Sequence, residues 1–453
     1  MNPEHYDVVV VGAGIHGAGI AQIFALNGSR VLVLEQYRIA SQTSSRSSKL
    51  IHGGLRYLET AQFSLVRECL EERDLLLKLA PDLVQLVPFY IPVYRNTSRG
   101  ALKIRAGLTL YALLGGLRKS VRFRTLQSKE WDQLDGLKTL NLRKVFRYYD
   151  AQTDDVALTR AVLDSAVHFG ATVYEGAEFI SAQLNSNYCT VVYSAIAPSA
   201  TAPSATAPSA TAPSATAPGV ALCPLNVIPP ASLQSGVALC PLNVIPPASL
   251  PSTTNGNTRS CTANLLINAS GAWVNQVLAR IAPSPPSLPI QWIGGSHIEV
   301  ADSLPKGIYY IESPEDRRAL FVMPWKGHVL VGTTEIVYTG DPAEVTPLEH
   351  EVDYLLAAYR HYFPIGSGHV INKFAGLRVL PQNELPVSRT SRDIQISAYP
   401  ALRPKIITVC GGKLTVYRRT AEKIFQYACR HTEAKNKGLS TRDVVLRAVN
   451  GLV

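Results

Sequence analysis

The segment from Asp7 to Glu35 limits the fold of this chain more than any other part of its sequence. Val8 to Val11 form an apolar run typical of a buried strand, and the motif Gly12-x-Gly14-x-x-Gly17 follows directly. A helical stretch comes next, and a second apolar strand ends on Glu35. This order of strand, turn, helix and strand is the context in which such a glycine motif indicates a bound dinucleotide.

Each glycine of the motif has a separate physical task. Gly12 permits the tight turn, Gly14 lets the backbone approach a pyrophosphate, and Gly17 lets the helix pack on the strand. The first N–H groups of the helix are expected to face the phosphates with the positive end of the helix dipole. Glu35 lies where a carboxylate accepts hydrogen bonds from an adenosine ribose. The segment predicts a dinucleotide site but does not by itself distinguish NAD, NADP and FAD.

The composition is that of a large folded chain with an anionic partner. Its 453 residues suffice for two or three domains, and an apolar content of 46% supplies a sizeable core. The net charge of +10 indicates a phosphorylated substrate, an anionic membrane surface or nucleic acid. Nucleic acid fits least, because the basic residues are not interleaved with exposed aromatic residues. The cysteines are odd in number and lack CxxC spacing, so we expect no metal site and a reducing compartment.

The span from Leu83 to Lys129 contains basic residues but no acidic one. Within it, Ile104, Leu108, Tyr111 and Leu114 share one face of a predicted helix. This pattern fits a helix lying on an anionic lipid surface, and it equally fits an ordinary helix facing the core. No apolar run is long enough to cross a bilayer, so any membrane contact is expected to be peripheral.

A repetitive, uncharged segment interrupts the chain. Ala-Pro-Ser-Ala-Thr occurs four times from Ala197 to Thr216, and GVALCPLNVIPPASL occurs twice between Gly219 and Leu250. Proline at this density prevents both helices and strand ladders. We interpret residues 195–258 as an expanded loop between two strands, either disordered or locally extended. Elsewhere, helices are predicted near residues 61–80, 153–170, 347–362 and 415–430, and antiparallel strands across 290–334.

Four polar or Gly-rich stretches carry the candidate chemistry. They are Ser44–Leu58, Gly294–His297, Ala375–Pro381 and Cys410–Arg418. Each combines glycines, which allow close backbone approach, with Lys, Arg, His or Tyr. A planar cofactor beside an anionic substrate needs this combination. Singly, each cation or histidine has an ordinary structural explanation; together with the dinucleotide segment they predict a site.

These motifs resemble a known family. FAD-dependent glycerol-3-phosphate dehydrogenases show, in the same order, motifs similar to DVVVVGAGIHGAGIA, SSRSSKLIHGGLRYLE, YYDAQTDD, INASGAWV, GSHIEV, RRALFVMPW…VGTTE, AGLRVLP and CGGKLTVYR. The resemblance extends from Tyr6 to about Lys423 and is interrupted only by the proline-rich insert. SSKLIHGGLRYLE and GGKLTVYR are specific to this group, whereas the first glycine motif is not.

The resemblance implies an α/β fold. Its parts are a glutathione-reductase-type, Rossmann-like FAD-binding domain and an inserted antiparallel-β substrate domain similar to that of D-amino-acid oxidases. The implied boundaries are 1–85, 150–194, 259–288 and 370–430 for the FAD-binding domain, 86–149 and 289–369 for the substrate domain, 195–258 for the Pro-rich insert and 431–453 for the tail.

FAD is the cofactor that the resemblance implies. By position, Gly12, Gly14, Gly17 and Glu35 hold its ADP half. The residues expected beside the flavin and its chain are Ser47, Ser48, Leu50, His52, Gly53, Ala269, Gly271, Gly412, Lys413, Leu414 and Thr415.

Glycerol 3-phosphate is the implied substrate, oxidised by hydride transfer to flavin N5. The matching substrate-binding positions are Arg56, Tyr57, Arg392 and Lys413. A neutral histidine is best poised near pH 7 to accept the hydroxyl proton, so His297 is the first candidate and His52 the second. Arg378 is expected to stabilise the developing alkoxide.

The family also implies partners and a location. Its members pass electrons to membrane quinone, which agrees with a cytoplasmic protein held peripherally on an anionic lipid surface at the inner face of the cytoplasmic membrane. The resemblance allows a homodimer, and it leaves quinone and oxygen open as electron acceptors. Two other functions remain as alternatives: an FAD-dependent amine or amino-acid oxidase, and a non-catalytic membrane-associated flavoprotein. Arg46 departs from the family, which usually has a small residue there.

Overall fold

The computed structural model describes residues 3–195, 258–382 and 393–448. Its α-helices are α1 (Ile15–Leu26), α2 (Phe63–Leu79), α3 (Ala101–Leu114), α4 (Asp155–His168), α5 (Val274–Ala279), α6 (Glu349–Tyr362) and α7 (Tyr417–His431). Six of them, α1, α2, α3, α4, α6 and α7, lie where the sequence predicts helices. The insert expected at 195–258 falls almost wholly outside the described residues.

The strands form two sheets. They are β1 (Glu4–Val11), β2 (Val31–Glu35), β3 (Leu50–Ile51), β4 (Val84–Tyr94), β5 (Arg124–Thr125), β6 (Leu142–Thr153), β7 (Thr172–Glu175), β8 (Ala177–Leu184), β9 (Cys189–Ala195), β10 (Thr258–Asn268), β11 (Ile281–Ala282), β12 (Ile290–Val300), β13 (Ile308–Glu312), β14 (Ala319–Trp325), β15 (His328–Gly332), β16 (Ile336–Tyr338), β17 (Val370–Pro381), β18 (Gln395–Tyr399) and β19 (Ile406–Cys410).

The first sheet places the dinucleotide segment at its centre. Its order is β11-β8-β9-β10-β1-β2-β7, with β19 also on β10 and β18 on β19. β1 runs parallel to both β2 and β10, with Val8 opposite Val31 and Leu265. Because β1 is covered on both faces, its residues Val8 to Val11 are apolar without alternation and fully buried. α1, α4 and α7 pack against one face of this sheet in a common core.

Parallel pairing brings several loops to one edge of the first sheet. The carboxyl ends of β1, β2, β10 and β19 lead directly into Gly12, Gln36, Ala269 and Gly411. In open α/β sheets, ligands bind outside this edge. The edge is therefore the expected position of the cofactor.

The second sheet is largely antiparallel and has the order β16-β12-β15-β14-β13-β4-β6-β3, with β17 on β12 and β5 on β6. β12 and β17 pair along their whole lengths, from Ile290 opposite Pro381 to Val300 opposite Val370. The boundaries implied by the sequence assign β17 to the FAD-binding domain, whereas its hydrogen bonds make it a strand of the second sheet. This pair carries His297 on β12 and Arg378 on β17.

The predicted helical face in the acid-free span points inward. Ile104, Leu108 and Tyr111 of α3 are buried in one core cluster, and Leu114 packs against that cluster. The lipid-facing alternative is therefore wrong for this face, because the side chains fill the core under the second sheet. No helix among the described residues has the length and hydropathy needed to cross a membrane.

Candidate active site

A cavity of about 780 Å³ lies between the carboxyl edge of the first sheet and the strands β12 and β17. The predicted residues that line it are Gly12, Gly14, Glu35, Ser47, Ser48, Leu50, His52, Arg56, Tyr57, Ala269, Gly271, His297, Arg378, Gly412, Lys413, Leu414 and Thr415. Two predicted residues, Gly17 and Gly53, are not part of the lining. Arg392 lies outside the described residues.

The glycine loop after β1 forms a tight backbone cradle. Gly12 has φ +102°, and a Cβ there would lie 2.7 Å from the carbonyl oxygen of Ala269. A Cβ at Gly17 would lie 1.9 Å from the carbonyl oxygen of Gly12, so this glycine packs α1 on the turn. Ile15 N donates to Ser44 Oγ at 2.9 Å, and the first turn of α1 contains no acidic residue. The positive end of the α1 dipole therefore faces the cavity with no acidic side chain from α1 itself to neutralise it.

Glu35 stands at the end of β2 in the position predicted for a ribose acceptor. Its Oε2 accepts a hydrogen bond from Ala13 N at 2.8 Å, and its Oε1 accepts one from Tyr37 N at 2.9 Å. Burial raises the pKa of this carboxyl, and the two N–H donors counteract the rise. Each carboxylate oxygen keeps a second lone pair for a ribose hydroxyl. The cradle, the helix end and Glu35 together fit the ADP half of FAD.

Gly53 is held by the protein instead of facing the cofactor position. Its N–H donates to Tyr111 Oη at 2.9 Å. A Cβ at Gly53 would meet Tyr111 Oη at 2.4 Å and Leu70 at 2.7 Å, so a larger residue does not fit there. Gly53 is expected beside the flavin from the sequence, whereas the structure packs it against Tyr111 and Leu70, outside the cavity lining. Its neighbours His52 and Gly54 are the residues that line the cavity.

The stretch Ser44–Leu58, called the serine segment below, is held to α4 by a buried ion pair that sequence reasoning missed. Lys49 Nζ lies 2.8 Å from Asp155 Oδ1, and both side chains are almost fully buried. Asp155 Oδ2 also accepts hydrogen bonds from the N–H and the hydroxyl of Ser47, at 3.1 and 2.6 Å. This anchor presents Ser48 to His297 on the second sheet.

His297 is buried against the serine segment. Its Nε2 lies 3.1 Å from Ser48 Oγ, and its ring stacks on Phe374 at a centroid distance of 5.0 Å. Burial lowers the pKa of His297 to about 3, with Lys49 and Arg378 adding to the effect. The ring is therefore neutral at physiological pH, as predicted. It is a weaker base than the sequence suggested, because the ring is buried and two cations lie nearby.

His52, the second candidate, also lines the cavity. Its backbone N–H donates to Thr415 Oγ1 at 3.1 Å. This hydrogen bond connects the serine segment to residues 411–415, the GGKLT segment. Its ring stands edge-on to Phe321 at 6.1 Å. The two candidate histidines therefore belong to one cavity.

The cavity contains cations of two kinds. Arg378 Nη1 lies 3.1 Å from Glu335 Oε1, so its charge is paired. Lys413 Nζ instead lies 3.4 Å from the centre of the Tyr57 ring, and Arg56, the residue before Tyr57, lines the same cavity. Within residues 3–195, 258–382 and 393–448, no carboxylate forms an ion pair with Arg56 or Lys413. These two cations are free to neutralise an anionic ligand.

Among the lining residues that sequence reasoning missed are His16, Arg318 and Glu335. His16 Nε2 lies 3.0 Å from the carbonyl oxygen of Gly411, which ties the first glycine motif to the GGKLT segment. Arg318 and Glu335 belong to the motifs RRALFVMPW and VGTTE, which were recognised without a role for either residue. The unusual Arg46 also lines the cavity and donates from Nη1 to the carbonyl oxygen of Ala375 at 3.0 Å.

His16 predicts a loss of stability in acid. Burial lowers its pKa to about 4 in the folded protein, below the 6.5 of an exposed histidine. The unfolded chain therefore binds the proton first, and the stabilisation present above pH 6.5 is lost as the pH falls toward 4. At pH 5 the loss is about 2 kcal/mol. Urea unfolding at pH 7.5 and pH 5 should show this loss in the wild type and a smaller loss in His16→Asn; equal losses contradict the assignment.

Comparison with known proteins identifies the family. A family model described as FAD dependent oxidoreductase matches residues 7–214 and 239–418. The chain belongs to the FAD-dependent oxidoreductases. A glycerol-3-phosphate dehydrogenase of Pseudomonas aeruginosa is 34% identical over 92% of this oxidoreductase and 70% of the relative. A D-erythritol 1-phosphate dehydrogenase of Brucella abortus is 31% identical over 93% and 73%. The predicted resemblance to the glycerol-3-phosphate dehydrogenases is confirmed, and FAD is the cofactor.

Solved structures confirm the predicted fold class of this oxidoreductase. The glycerol-3-phosphate dehydrogenase of Bacillus halodurans complexed with FAD superimposes with a TM-score of 0.68 at 21% identity, covering 98% of this chain and 68% of that one. Glycine oxidase from Geobacillus kaustophilus gives a TM-score of 0.63 at 17% identity, covering 99% and 100%. At these identities the likeness establishes the FAD-binding fold with its second sheet and does not choose between the substrates.

Proposed function

We propose that this FAD-dependent oxidoreductase oxidises sn-glycerol 3-phosphate to dihydroxyacetone phosphate. The observation that carries the proposal is the unneutralised pair Arg56 and Lys413 on the wall of the cofactor cavity. A phosphate monoester brings nearly two negative charges and several acceptor oxygens, which such a pair can bind. The relatives of more than 30% identity named above are both dehydrogenases of phosphorylated polyols, which supports the same substrate class.

Tyr57 organises the proposed phosphate site. Lys413 Nζ is held over the face of its ring, and Arg56 precedes it in the same 3-10 turn, Leu55–Thr60. The cation–π contact orients Lys413 without cancelling its charge. Arg392 is proposed as a further phosphate residue on the family resemblance alone.

The reacting groups are proposed to lie between the serine segment and the second sheet. FAD, when bound, supplies the hydride acceptor. His297 accepts the hydroxyl proton at Nε2, since Nδ1 is enclosed by the protein and has no partner among the described residues. Arg378 stabilises the alkoxide that develops as the proton leaves. His52 remains the second candidate for the proton.

The low pKa of His297 is compatible with this role. Above a pH of about 3 the ring is neutral and ready to accept a proton before substrate arrives. A bound phosphate adds negative charge to a cavity rich in cations, which favours the protonated form of the ring as the reaction proceeds. Arg378 meanwhile lowers the pKa of the substrate hydroxyl. The proton transfer therefore depends on both groups and needs no strong base.

The substrate assignment predicts a requirement for phosphate. With a dye as electron acceptor, purified holoprotein should oxidise glycerol 3-phosphate and should show no turnover with glycerol, glycine or sarcosine. An amine or amino-acid oxidase would instead turn over glycine or sarcosine and leave glycerol 3-phosphate unoxidised. D-Erythritol 1-phosphate is the informative comparison, because it differs in chain length and keeps the phosphate.

We further propose that electrons pass to membrane quinone and that the protein lies peripherally on the inner face of the cytoplasmic membrane. The support is the outward side of α3 and the turn after it, where Leu102, Leu113 and Leu117 are 84%, 55% and 59% exposed. Lys103, Arg105 and Lys119 are exposed nearby. Apolar side chains flanked by cations suit the surface of an anionic bilayer.

Vesicle flotation tests this surface. The protein should float with anionic vesicles at low salt, bind less at high salt and bind neutral vesicles weakly. Leu113→Ser with Leu117→Ser should reduce the binding, whereas Ile365→Ser, which changes an exposed apolar residue elsewhere, should not. Binding that ignores salt and lipid charge contradicts the proposal.

A further inference from the structure

We propose that Glu335 is a positioning residue that holds the guanidinium of Arg378 at the reacting centre. The proposal rests on the function proposed above, because it concerns the residue assigned to the developing alkoxide. Glu335 lies in the turn between β15 and β16, and Arg378 lies on β17. Neither neighbourhood in sequence predicts their contact.

The carboxylate of Glu335 bridges two arginines. Its Oε1 lies 3.1 Å from Arg378 Nη1, and its Oε2 lies 2.5 Å from Arg318 Nη1. All three residues line the cavity, yet the side chain of Glu335 is only 2% exposed. A buried carboxylate between two guanidinium groups has little freedom to move, since leaving either partner costs a charge-assisted hydrogen bond.

Two more contacts set the direction of Arg378. Its Nη2 donates to the carbonyl oxygen of Thr334 at 2.9 Å. On the opposite strand, a Cβ at Gly295 would lie 2.3 Å from that same Nη2, so the absence of a side chain makes the slot in which the guanidinium lies. A carboxylate, a carbonyl oxygen and a glycine slot therefore fix the guanidinium together.

The negative charge of Glu335 opposes the binding of an anionic substrate, so an effect of Glu335 on the position of Arg378 can be told apart from an effect on substrate affinity. Glu335 cancels one positive charge in a cavity that must attract an anion, so it does not assist phosphate binding. Removing its charge should leave the affinity for an anionic substrate unchanged or higher. The same change should slow the chemical step, because Arg378 loses the charged acceptor that helps to fix its orientation. The two effects have opposite signs, whereas a general structural defect weakens both.

The experiment is anaerobic stopped-flow reduction of the holoprotein by glycerol 3-phosphate, with the limiting rate and the substrate Kd measured separately. We expect Glu335→Gln to lower the limiting rate at least about 10-fold, with a Kd equal to or below that of the wild type. Gly295→Ala should lower the rate similarly without any change in charge, because its Cβ would lie 2.3 Å from Nη2 and 2.7 Å from Thr333 Oγ1. Glu72→Gln is the matched control, since it breaks the buried pair with Arg418, and neither residue lines the cavity.

The outcomes are separable. A limiting rate in Glu335→Gln within about threefold of the wild type overturns the proposal, as does a parallel loss of rate and affinity of the size seen in Glu72→Gln. If Glu335→Gln does not fold, Gly295→Ala decides by the same two criteria. If glycerol 3-phosphate does not reduce the flavin of the wild type, the proposed function fails. If it reduces the wild type and Glu335→Gln at the same rate, only the role of Glu335 fails.

Discussion

His297→Asn is expected to lower the limiting rate of flavin reduction by glycerol 3-phosphate about 10²- to 10⁴-fold, the usual contribution of a positioned general base. The substitution keeps a polar side chain of smaller size at a site that is 2% exposed, so FAD content and the visible spectrum should be retained. Asn cannot accept a proton at neutral pH, so the lower rate would reflect the loss of the general base and not the loss of FAD. Rapid-mixing kinetics under anaerobic conditions measure the rate directly.

The control for this prediction is His52→Asn, which alters the other histidine of the same cavity. Its effect should be at least 10-fold smaller, because His297 carries the proton in our account. A rate for His297→Asn within about threefold of the wild type would falsify the assignment. A large loss in His52→Asn alone instead identifies the second candidate as the proton acceptor.

Gly12→Ala is expected to yield a protein that no longer retains FAD. The residue has φ +102°, which an L side chain rarely adopts, and the new Cβ would lie 2.7 Å from the carbonyl oxygen of Ala269. Backbone strain of this kind costs about 1–3 kcal/mol, and the displaced cradle loses hydrogen bonds to the pyrophosphate as well. We expect FAD affinity to fall at least about 100-fold, measured by fluorescence titration of apoprotein.

Gly107→Ala provides the matched control for that substitution. Gly107 lies inside α3, and a Cβ there would meet nothing within 4 Å. Alanine in a helix interior is favoured over glycine by about 0.5–1 kcal/mol, so this variant should retain FAD and unfold at a slightly higher temperature. Equal FAD affinity in Gly12→Ala and Gly107→Ala would contradict the assignment of the Gly12 turn to FAD binding.

The dinucleotide segment could be predicted from sequence because its physical constraints are local. An unbroken apolar strand, three spaced glycines and an acid after the second strand allow few structures, and the structure places Glu35 beside Ala13 as that pattern requires. Helices α2 and α3 could be predicted for a similar reason, since each shows an apolar stripe at helical spacing in its own sequence. The cations could be collected as site candidates, but spacing did not say which of them would be paired.

The remaining features depend on contacts between distant parts of the chain. Ser48 and His297 are 249 positions apart. The pKa of His297 is low first because the folded chain buries the ring and second because Lys49 and Arg378 lie nearby, and none of these contacts is local in sequence. The inward direction of Tyr111 was equally undetermined, because an amphipathic helix fits a core or a membrane until its neighbours are known. Glu335 escaped notice because an acidic residue in a turn has no visible role before Arg378 and Arg318 are placed beside it.

The most direct measurement is anaerobic titration of the purified protein with sn-glycerol 3-phosphate, followed by its visible spectrum. We expect a yellow protein whose flavin absorbance bleaches, with about one equivalent of dihydroxyacetone phosphate formed per flavin and no bleaching by glycine or sarcosine. A yellow protein that glycerol 3-phosphate leaves unbleached, or that glycine or sarcosine bleaches instead, contradicts the proposed function.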